Sequence, residues 1–401
     1  MSERGQAAEE RRDGAAWDRV YLDHNATSPL RPEARAAMLA VLDAPGNASS
    51  VHREGRAARA LLEQARGAVA GLVGGPARGV VFTSGATEAV ALGLHPEVEI
   101  GGRPHPCDVL LASAVEHPAV LRGHRFAAVE RVPVDKAGRV DLDVLEERLR
   151  HHRDAGRRAM VALMAANNET GVLQPVGHAA RLAHAHDAVV FCDAVQAAGR
   201  LPLDMAALDL DLLAVSAHKI GGPQGAGALV AARADIRLPP LVAGGGQERN
   251  RRAGTENVAA IAGFGAAAAV AAQRADAARL AAARDRLEEG VLASVPGASA
   301  IGAAVERLPN TSLIAFSGLR AETLVIALDL AHISVSAGSA CSSGKVGPSH
   351  VLEAMGVDAQ RAAGAIRLSL GWSTRDEDVD RAVAALQKVV PQVRGRSTKA
   401  A

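Results

Sequence analysis

Between residues 80 and 231 the chain repeats one pattern: a short apolar run of strand length, a polar cluster, then a helix-like stretch. The runs fall at Val80–Thr83, 109–112, 129–134, 160–165, 189–192, 212–215 and Gly227–Ala231. Apart from 129–134, which holds Glu130 and Arg131, they are almost wholly apolar rather than alternating, which is the signature of strands covered on both faces. Helical segments at 141–151 and 176–186 separate some of them. Strands alternating with helices predict a mostly parallel sheet wrapped by helices.

Upstream, residues 20–27 read as a short strand entering a polar turn, and Pro32–Leu42 as a helix with Pro32 at its first position. Residues 45–50 form a loop, and a helix at 53–72 ends near Gly74 and Gly75. From about residue 273 the pattern changes. A long Ala/Arg helix over 259–292 is broken near Gln273. Strands at 314–316, 334–335 and 365–370 follow, with helices at 322–330, 348–355 and 377–388. This predicts an α/β protein with a smaller α+β C-terminal domain. The expected division is a disordered tail over 1–18, a large domain over 31–265, and a small domain made of 19–30 and 266–401.

Composition excludes several classes of function. A net charge of +1 over 401 residues gives no basic surface for nucleic acid, and 2% aromatics leave few rings to stack on bases. Cys107, Cys192 and Cys341 form no C-x-x-C pair and no zinc-type spacing, so no resident metal is expected and a reducing compartment is. The first 18 residues lack the apolar core of a signal peptide. The longest apolar run, 258–272, is short and mostly Ala and Gly, below the roughly 20 residues of a bilayer span. A soluble cytoplasmic protein is the expectation.

Polar residues gather where the strands end: Thr87, His117, Asn168, Asp193, Ser216, His218 and Lys219. Ligands of open α/β sheets bind beyond the carboxyl ends of strands. Lys219 follows directly on a buried run, where an unpaired ammonium is costly unless the amine serves chemistry or snorkels to water. Ser84-Gly85-Ala86-Thr87-Glu88 opens a helix after a strand, a pattern that cradles an anion or merely caps the helix. Gly263-Phe264-Gly265 with Ala268 matches a loose dinucleotide motif but lies in a helical run, so it reads as structural. Gly221-Gly222-Pro223-Gln224-Gly225 lacks P-loop spacing and reads likewise.

Asp193 and Lys219 suggest one chemistry together. A carboxylate beside a pyridine nitrogen keeps it protonated and makes the ring an electron sink. Pyridoxal phosphate needs that acid, a lysine for its aldehyde, and a phosphate cup. The cup would be the Gly85-Ala86-Thr87 helix start with Ser216 and His218. His117 would stack on the ring, and Asn168 and Gln196 would bond its phenolic oxygen.

The chain resembles a cysteine desulfurase of the iron–sulfur-assembly type, in the class V aminotransferase family of pyridoxal-phosphate enzymes with fold type I. The likeness rests on Tyr21 to Thr27, Gly46 to Ser50 with His52, Thr83 to Glu88, Glu116-His117, Asn167 to Gly171, Asp193 to Gln196, Ser216 to Lys219 and Arg252 to Thr255. Ser336 to Cys341 and Ile366 to Gly371 extend it. The resemblance implies that Lys219 carries the cofactor's aldehyde and that Asp193 pairs with the ring nitrogen. It implies that His117 is the stacking acid/base, that Thr87, Ser216 and His218 hold the phosphate, and that Thr255 reaches in from the partner of a homodimer. Arg367, with Asn168, would bind the substrate carboxylate. L-cysteine would become L-alanine, with its sulfur held on Cys341 as a persulfide and passed to an acceptor such as an iron–sulfur scaffold protein.

Cys341 lies among Gly338, Ser339, Ser342, Ser343, Gly344 and Gly347, a setting that suits a nucleophile rather than a core thiol. The sequence departs from the family at Ala48 (usually proline), at Gly221 (usually aromatic) and over Ser342 to Gly347. An aminotransferase or selenocysteine lyase would explain Lys219 and Asp193 but give Cys341 no task. A non-catalytic scaffold or sulfur-carrier partner would keep the fold only, against which the intact lysine and aspartate speak.

Overall fold

The computed structural model describes residues 19–44, 46–338 and 349–397. Its larger sheet is built from β2 (Val80–Thr83), β3 (Val109–Ser113), β4 (Val129–Val132), β5 (Ala159–Met164), β6 (Val189–Asp193), β7 (Leu212–Ser216) and β8 (Gly227–Ala231). Their spatial order is β2-β8-β7-β6-β5-β3-β4. Only β8 runs against its neighbours; the pairings from β7 through β6, β5 and β3 to β4 are parallel.

Alternation across the pleat explains why the inner strands of this sheet are apolar throughout, unlike β4 with its Glu130 and Arg131. Val190 and Cys192 of β6 enter one core, and Val189 and Phe191 enter the other. Leu213 and Val215 of β7 join the first, Leu212 and Ala214 the second. Each such Val or Leu contributes about 1.5–3 kcal/mol by leaving water, and every strand residue from Val189 to Asp193 and from Leu212 to Ser216 is buried. The strand tips are therefore rigid.

The first core is covered by α1 (Pro32–Leu42), α2 (Arg53–Val73), α6 (Val176–Ala185) and α7 (Val258–Ala271), and the second by α3 (Ala86–Gly93) and α4 (Pro118–Gly123). α5 (Leu142–Asp154) covers the first core too, through Leu145 and Leu149. Gly263 and Gly265 serve packing. A Cβ on Gly263 would lie 2.6 Å from Met38 Cγ, and one on Gly265 would lie 2.6 Å from Ala65 Cα. The glycines let α7 lie close against α1 and α2.

The helix pattern of 259–292 resolves into α7 and α8 (Ala277–Ser294). Helix α7 crosses residue 265 unbroken, and Ala267, Ala268 and Ala271 still belong to the first core. The smaller unit carries an antiparallel sheet ordered β9 (Ala298–Ile301), β10 (Thr311–Phe316), β13 (Ala365–Ser369), β12 (Ser336–Ala337). α8, α9 (Ala321–Leu330) and α12 (Asp376–Ser397) pack on one face, around Leu287, Leu324, Phe316 and Leu386. α10 (His350–Ala354) and α11 (Ala359–Ala363) cover the other. The strand expected at 334–335 is two short ones, β11 (Ile333–Ser334) and β12, and the helix expected at 348–355 is α10, capped by the Ser349 hydroxyl.

One segment joins the units. β1 (Val20–Tyr21) pairs in parallel with β11. The chain then bonds β13 through His24 N to Ser369 O, and the Lys219 turn through Ser28 N to His218 O and Arg31 N to Gly221 O. Among the described residues no helix is long and apolar enough to cross a membrane.

Candidate active site

The carboxyl ends of β5, β6 and β7, the N-terminus of α3 and the 25–27 strap surround one cavity of about 400 Å³. Asp193 ends β6, and the turn Ala217–Lys219 follows β7. The two strands are neighbours in register, Asp193 opposite Ala214, so an acid and an amine face the same space.

Lys219 Nζ donates to the carbonyls of Asn25 at 2.5 Å and Ala26 at 2.7 Å. Asn25 is itself fixed. Its Nδ2 donates to Asn168 O and Thr311 Oγ1, and its Oδ1 accepts from Asn310. The lysine amine is thus positioned by a strap that both units hold.

Asp193 is buried, and its Oδ1 accepts the Val195 N–H at 3.0 Å. Burial raises its pKa, while His117, the Val195 bond and Lys219 pull the other way. Glu116 lies close by, fully buried. Its Oε1 accepts the Met164 N–H at 2.7 Å, and its Oε2 has no partner among the described residues. Burial, and then the charge of Asp193, hold the Glu116 carboxyl well above its ordinary value.

His117 caps α4: its Nδ1 accepts the Ala119 N–H at 3.1 Å, so the neutral ring carries its proton on Nε2. Burial lowers its pKa. His218 Nδ1 lies 3.2 Å from Thr27 Oγ1. Burial, then Lys219, push His218 down to about 4, so it is neutral at pH 7.

The opposite end of the cavity is the start of α3. Gly85 occupies the N-cap without a side-chain bond, which leaves the helix N-terminus facing the cavity beside Thr87 and Ser216. Such an end attracts anions. Glu88 Oε2 accepts the Ser84 N–H at 2.7 Å, and Arg252 Nε donates to Glu88 Oε1 at 2.9 Å. A Cβ on Gly227 would fall 2.5 Å from Gly85 C and 2.9 Å from Ala86 N, so β8 supports this turn only as glycine.

Lys219, His117, Ala86, Thr87, Asn168, Asp193, Gln196, Ser216 and His218 all line the cavity. Two other expected site residues lie outside its wall. Thr255 is exposed on the loop after Arg252. Arg367 is buried, with Nη1 donating to Asn168 O at 3.0 Å and Nη2 to Asp23 Oδ1 at 2.7 Å; its Nε has no partner among the described residues. Cys341 lies outside the described residues. The Asn25 and Ala26 carbonyls gave no signal in sequence, since any residue supplies a carbonyl. Gly221 has φ +84° and lies against Arg31, whose Cγ would meet a Cβ at 2.6 Å. Arg31 in turn stacks on Trp372 at 5.2 Å, so an arginine side chain fills the space beside Gly221.

The class V aminotransferase family model matches residues 20–382. A cysteine desulfurase of Cereibacter sphaeroides is 43% identical over 388 residues, covering 95% of this chain and 98% of that protein. Among solved structures, a NifS-like protein from Rickettsia africae superposes with a TM-score of 0.82 at 33% identity, covering 93% of this chain and 99% of its own. SspA, solved in complex with cysteine, gives a TM-score of 0.71 at 26% identity, covering 87% of this chain and 98% of its own. The chain belongs to the class V aminotransferase family and, within it, to the cysteine desulfurases.

Proposed function

We propose that the cavity binds pyridoxal 5′-phosphate and that the chain converts L-cysteine to L-alanine, leaving the sulfur on Cys341. The observation that carries this reading is the placement of Lys219 and Asp193 on neighbouring strand tips, facing one cavity closed by the N-terminus of α3. The residues fit the cofactor part by part. The α3 start, Thr87, Ser216 and His218 suit the phosphate. Asp193 suits the ring nitrogen, His117 the ring face, Asn168 and Gln196 the ring oxygen, and Lys219 the aldehyde. When bound, the cofactor supplies an electron sink for the breaking bonds of the substrate.

The protein's own groups do the rest. Lys219 moves the proton at the substrate Cα, and the Asn25 and Ala26 carbonyls hold its Nζ when it is charged. His117 Nε2 serves as a second proton carrier. Arg367 binds the substrate carboxylate, next to the Asn168 carbonyl it already touches. The Cys341 thiolate attacks the substrate sulfur. An S–S bond forms, the Cβ–S bond breaks with its electrons going to the carbon side, and two protons complete alanine. Cysteine and the Cys341 thiol thereby become alanine and a persulfide, with no external oxidant or reductant. The chain on either side of the Cys341 segment supports its reach. Cys341 is three residues from Gly338, so their Cα atoms are within about 11 Å. Gly338 lies beside Glu169, and His350 Nε2 lies 2.9 Å from Glu116 O, next to His117.

In the same proposal the large unit holds the cofactor and the smaller one carries Cys341 and Arg367. The protein works in the cytoplasm as a homodimer, with Thr255 of each subunit completing the other's phosphate site. The persulfide goes to an acceptor protein such as an iron–sulfur scaffold. The test is alanine and persulfide formation from L-cysteine by the cofactor-loaded protein. Lys219→Ala should lower the rate by roughly 10²–10⁴-fold. Cys341→Ser should abolish the persulfide and alanine together. A Cys341→Ser variant that forms alanine at the unaltered rate would refute the sulfur-transfer step and favour a lyase or transaminase.

A further inference from the structure

Gln196 and Arg200 lie one helical turn apart behind the cavity, and their contacts settle which way the glutamine amide points. Arg200 Nη1 donates to Gln196 O at 2.8 Å and also to Gln196 Oε1. Gln196 Nε2 donates to Asn25 O at 3.1 Å. A guanidinium has no acceptor and a carbonyl has no donor. The atom facing Arg200 is therefore the amide oxygen, and the atom facing Asn25 is the amide nitrogen. One hydrogen of that nitrogen is used by Asn25 O, and the second is what Gln196 has to offer the cavity it lines.

The rest of Arg200 fits a supporting task rather than an ion pair. Nη2 makes longer contacts to His24 O at 3.5 Å and Lys219 O at 3.4 Å. Among the described residues the hydrogen bonds of Arg200 go to backbone carbonyls and one amide, never to a carboxylate. Burial, and then the charge of Arg367, disfavour its cation, which makes an arginine here costly. One fork thus spans the strap at His24, the turn carrying Lys219, and the Gln196 amide.

We propose that Arg200 is a positioning residue that fixes Gln196 as a hydrogen-bond donor to the cavity. The inference rests on the reading that the cavity holds pyridoxal 5′-phosphate. A donor at the ring oxygen draws off its negative charge and makes the imine nitrogen joined to Lys219 less basic. Without Arg200, the amide orientation depends on one neutral bond to Asn25 O, a carbonyl that Lys219 Nζ also uses. The other charged or titratable groups facing this region are Lys219, His218, Asp193 and His117 in the cavity, Glu116 behind Asp193, and His24, Arg31, Arg274, Asp276 and Arg367 around Arg200. None of them is altered in the variants below.

The experiment is a pH titration of the visible absorption of the cofactor-loaded protein, with no substrate, together with the cofactor dissociation constant. In Arg200→Met the midpoint should rise by about one pH unit, a roughly tenfold change in the proton dissociation constant, as expected for losing one bond to a charged oxygen. Arg200→Lys should recover part of the shift. In a Gln196→Ala background, Arg200→Met should add no further shift. An unchanged midpoint in Arg200→Met overturns the inference. So does an equal shift in the Gln196→Ala background, which would assign the effect to charge alone. Where Arg200→Met does not fold, Arg200→Gln carries the same two comparisons. Failure of the wild-type protein to gain visible absorption on adding the cofactor would instead refute the reading of the cavity.

Discussion

Glu248→Gln should destabilise the protein by about 3–5 kcal/mol, the usual result of removing one partner from a buried ion pair. Glu248 and Arg66 form a two-pronged pair, Nη1 to Oε2 and Nη2 to Oε1, both at 2.8 Å, and their side chains are only 2% and 5% exposed. Glu248 Oε2 also accepts the Phe82 N–H at 2.9 Å, and the guanidinium stacks on the Phe82 ring at 4.8 Å. Three donors thus converge on one carboxylate. A glutamine turns one of its two acceptors into a donor, so at least one N–H loses its partner while a buried arginine keeps only the half-exposed Glu63, 3.1 Å from its Nε, as a counter-ion. An unfolding entropy of roughly 0.8 kcal/mol per kelvin for a chain of this size converts the loss into a fall of about 5 °C in melting temperature. Glu248, Arg249 and Asn250 all have positive φ, near 46°, 59° and 64°, and lead into the loop that carries Arg252 and Thr255. Cofactor affinity should therefore fall along with stability. The assay is thermal unfolding with Glu248→Gln, Arg66→Met and the Arg66→Met/Glu248→Met double variant. The double should be less damaging than the sum of the singles, because it leaves no unpaired charge. A melting temperature within 1 °C of wild type for Glu248→Gln, or strictly additive losses, would refute this reasoning.

Two further outcomes are expected. His184 lies between two carboxylates, 2.9 Å from both Asp209 Oδ2 and Asp211 Oδ2, and these bonds, Asp211 first, raise its pKa to about 9 from 6.5. A raised pKa stabilises the fold fully below pH 6.5 and loses that contribution as pH rises through 9. Because these side chains are partly solvated, the contribution is about 1–2 kcal/mol. Urea unfolding should show wild type losing this margin over His184→Ala between pH 6 and 9.5; parallel pH profiles for the two proteins would contradict the assignment. Gly227→Ala should cost about 1–3 kcal/mol by overpacking, because the atoms its Cβ meets belong to the backbone of Gly85 and Ala86 and cannot swing aside. It should also weaken cofactor binding by displacing the start of α3, and spectroscopic titration giving wild-type affinity would argue that this turn takes no phosphate.

The strand tips were legible because burial on both faces makes a strand uniformly apolar, so Asp193 and Lys219 stand out where the run stops. The break between α7 and α8 was legible from the change in side-chain pattern. What stayed hidden depends on distance along the chain. Glu248 and Arg66 are 182 residues apart, and nothing local to either marks them as a pair. The carbonyl grip on Lys219 was invisible for a different reason, since backbone oxygens have no sequence signature. Arg367 shows a third case. Its motif reads as a substrate clamp, but the partners that place its guanidinium, Asp23 and the Asn168 carbonyl, lie 344 and 199 residues away in the chain.

The polarity of the cavity follows from which of its groups burial silences. His218 is pushed to about 4 and His117 is lowered, so both rings are neutral at pH 7. Burial, and then the charge of Asp193, push the Glu116 carboxyl up. Asp193 at one tip faces Lys219 at the next, and the N-terminus of α3 supplies a positive field. A like charge placed beside Asp193 would drive it further toward its protonated form. The same burial that builds the core thus raises the Asp193 carboxyl, and with it that of Glu116, a residue absent from the cavity wall.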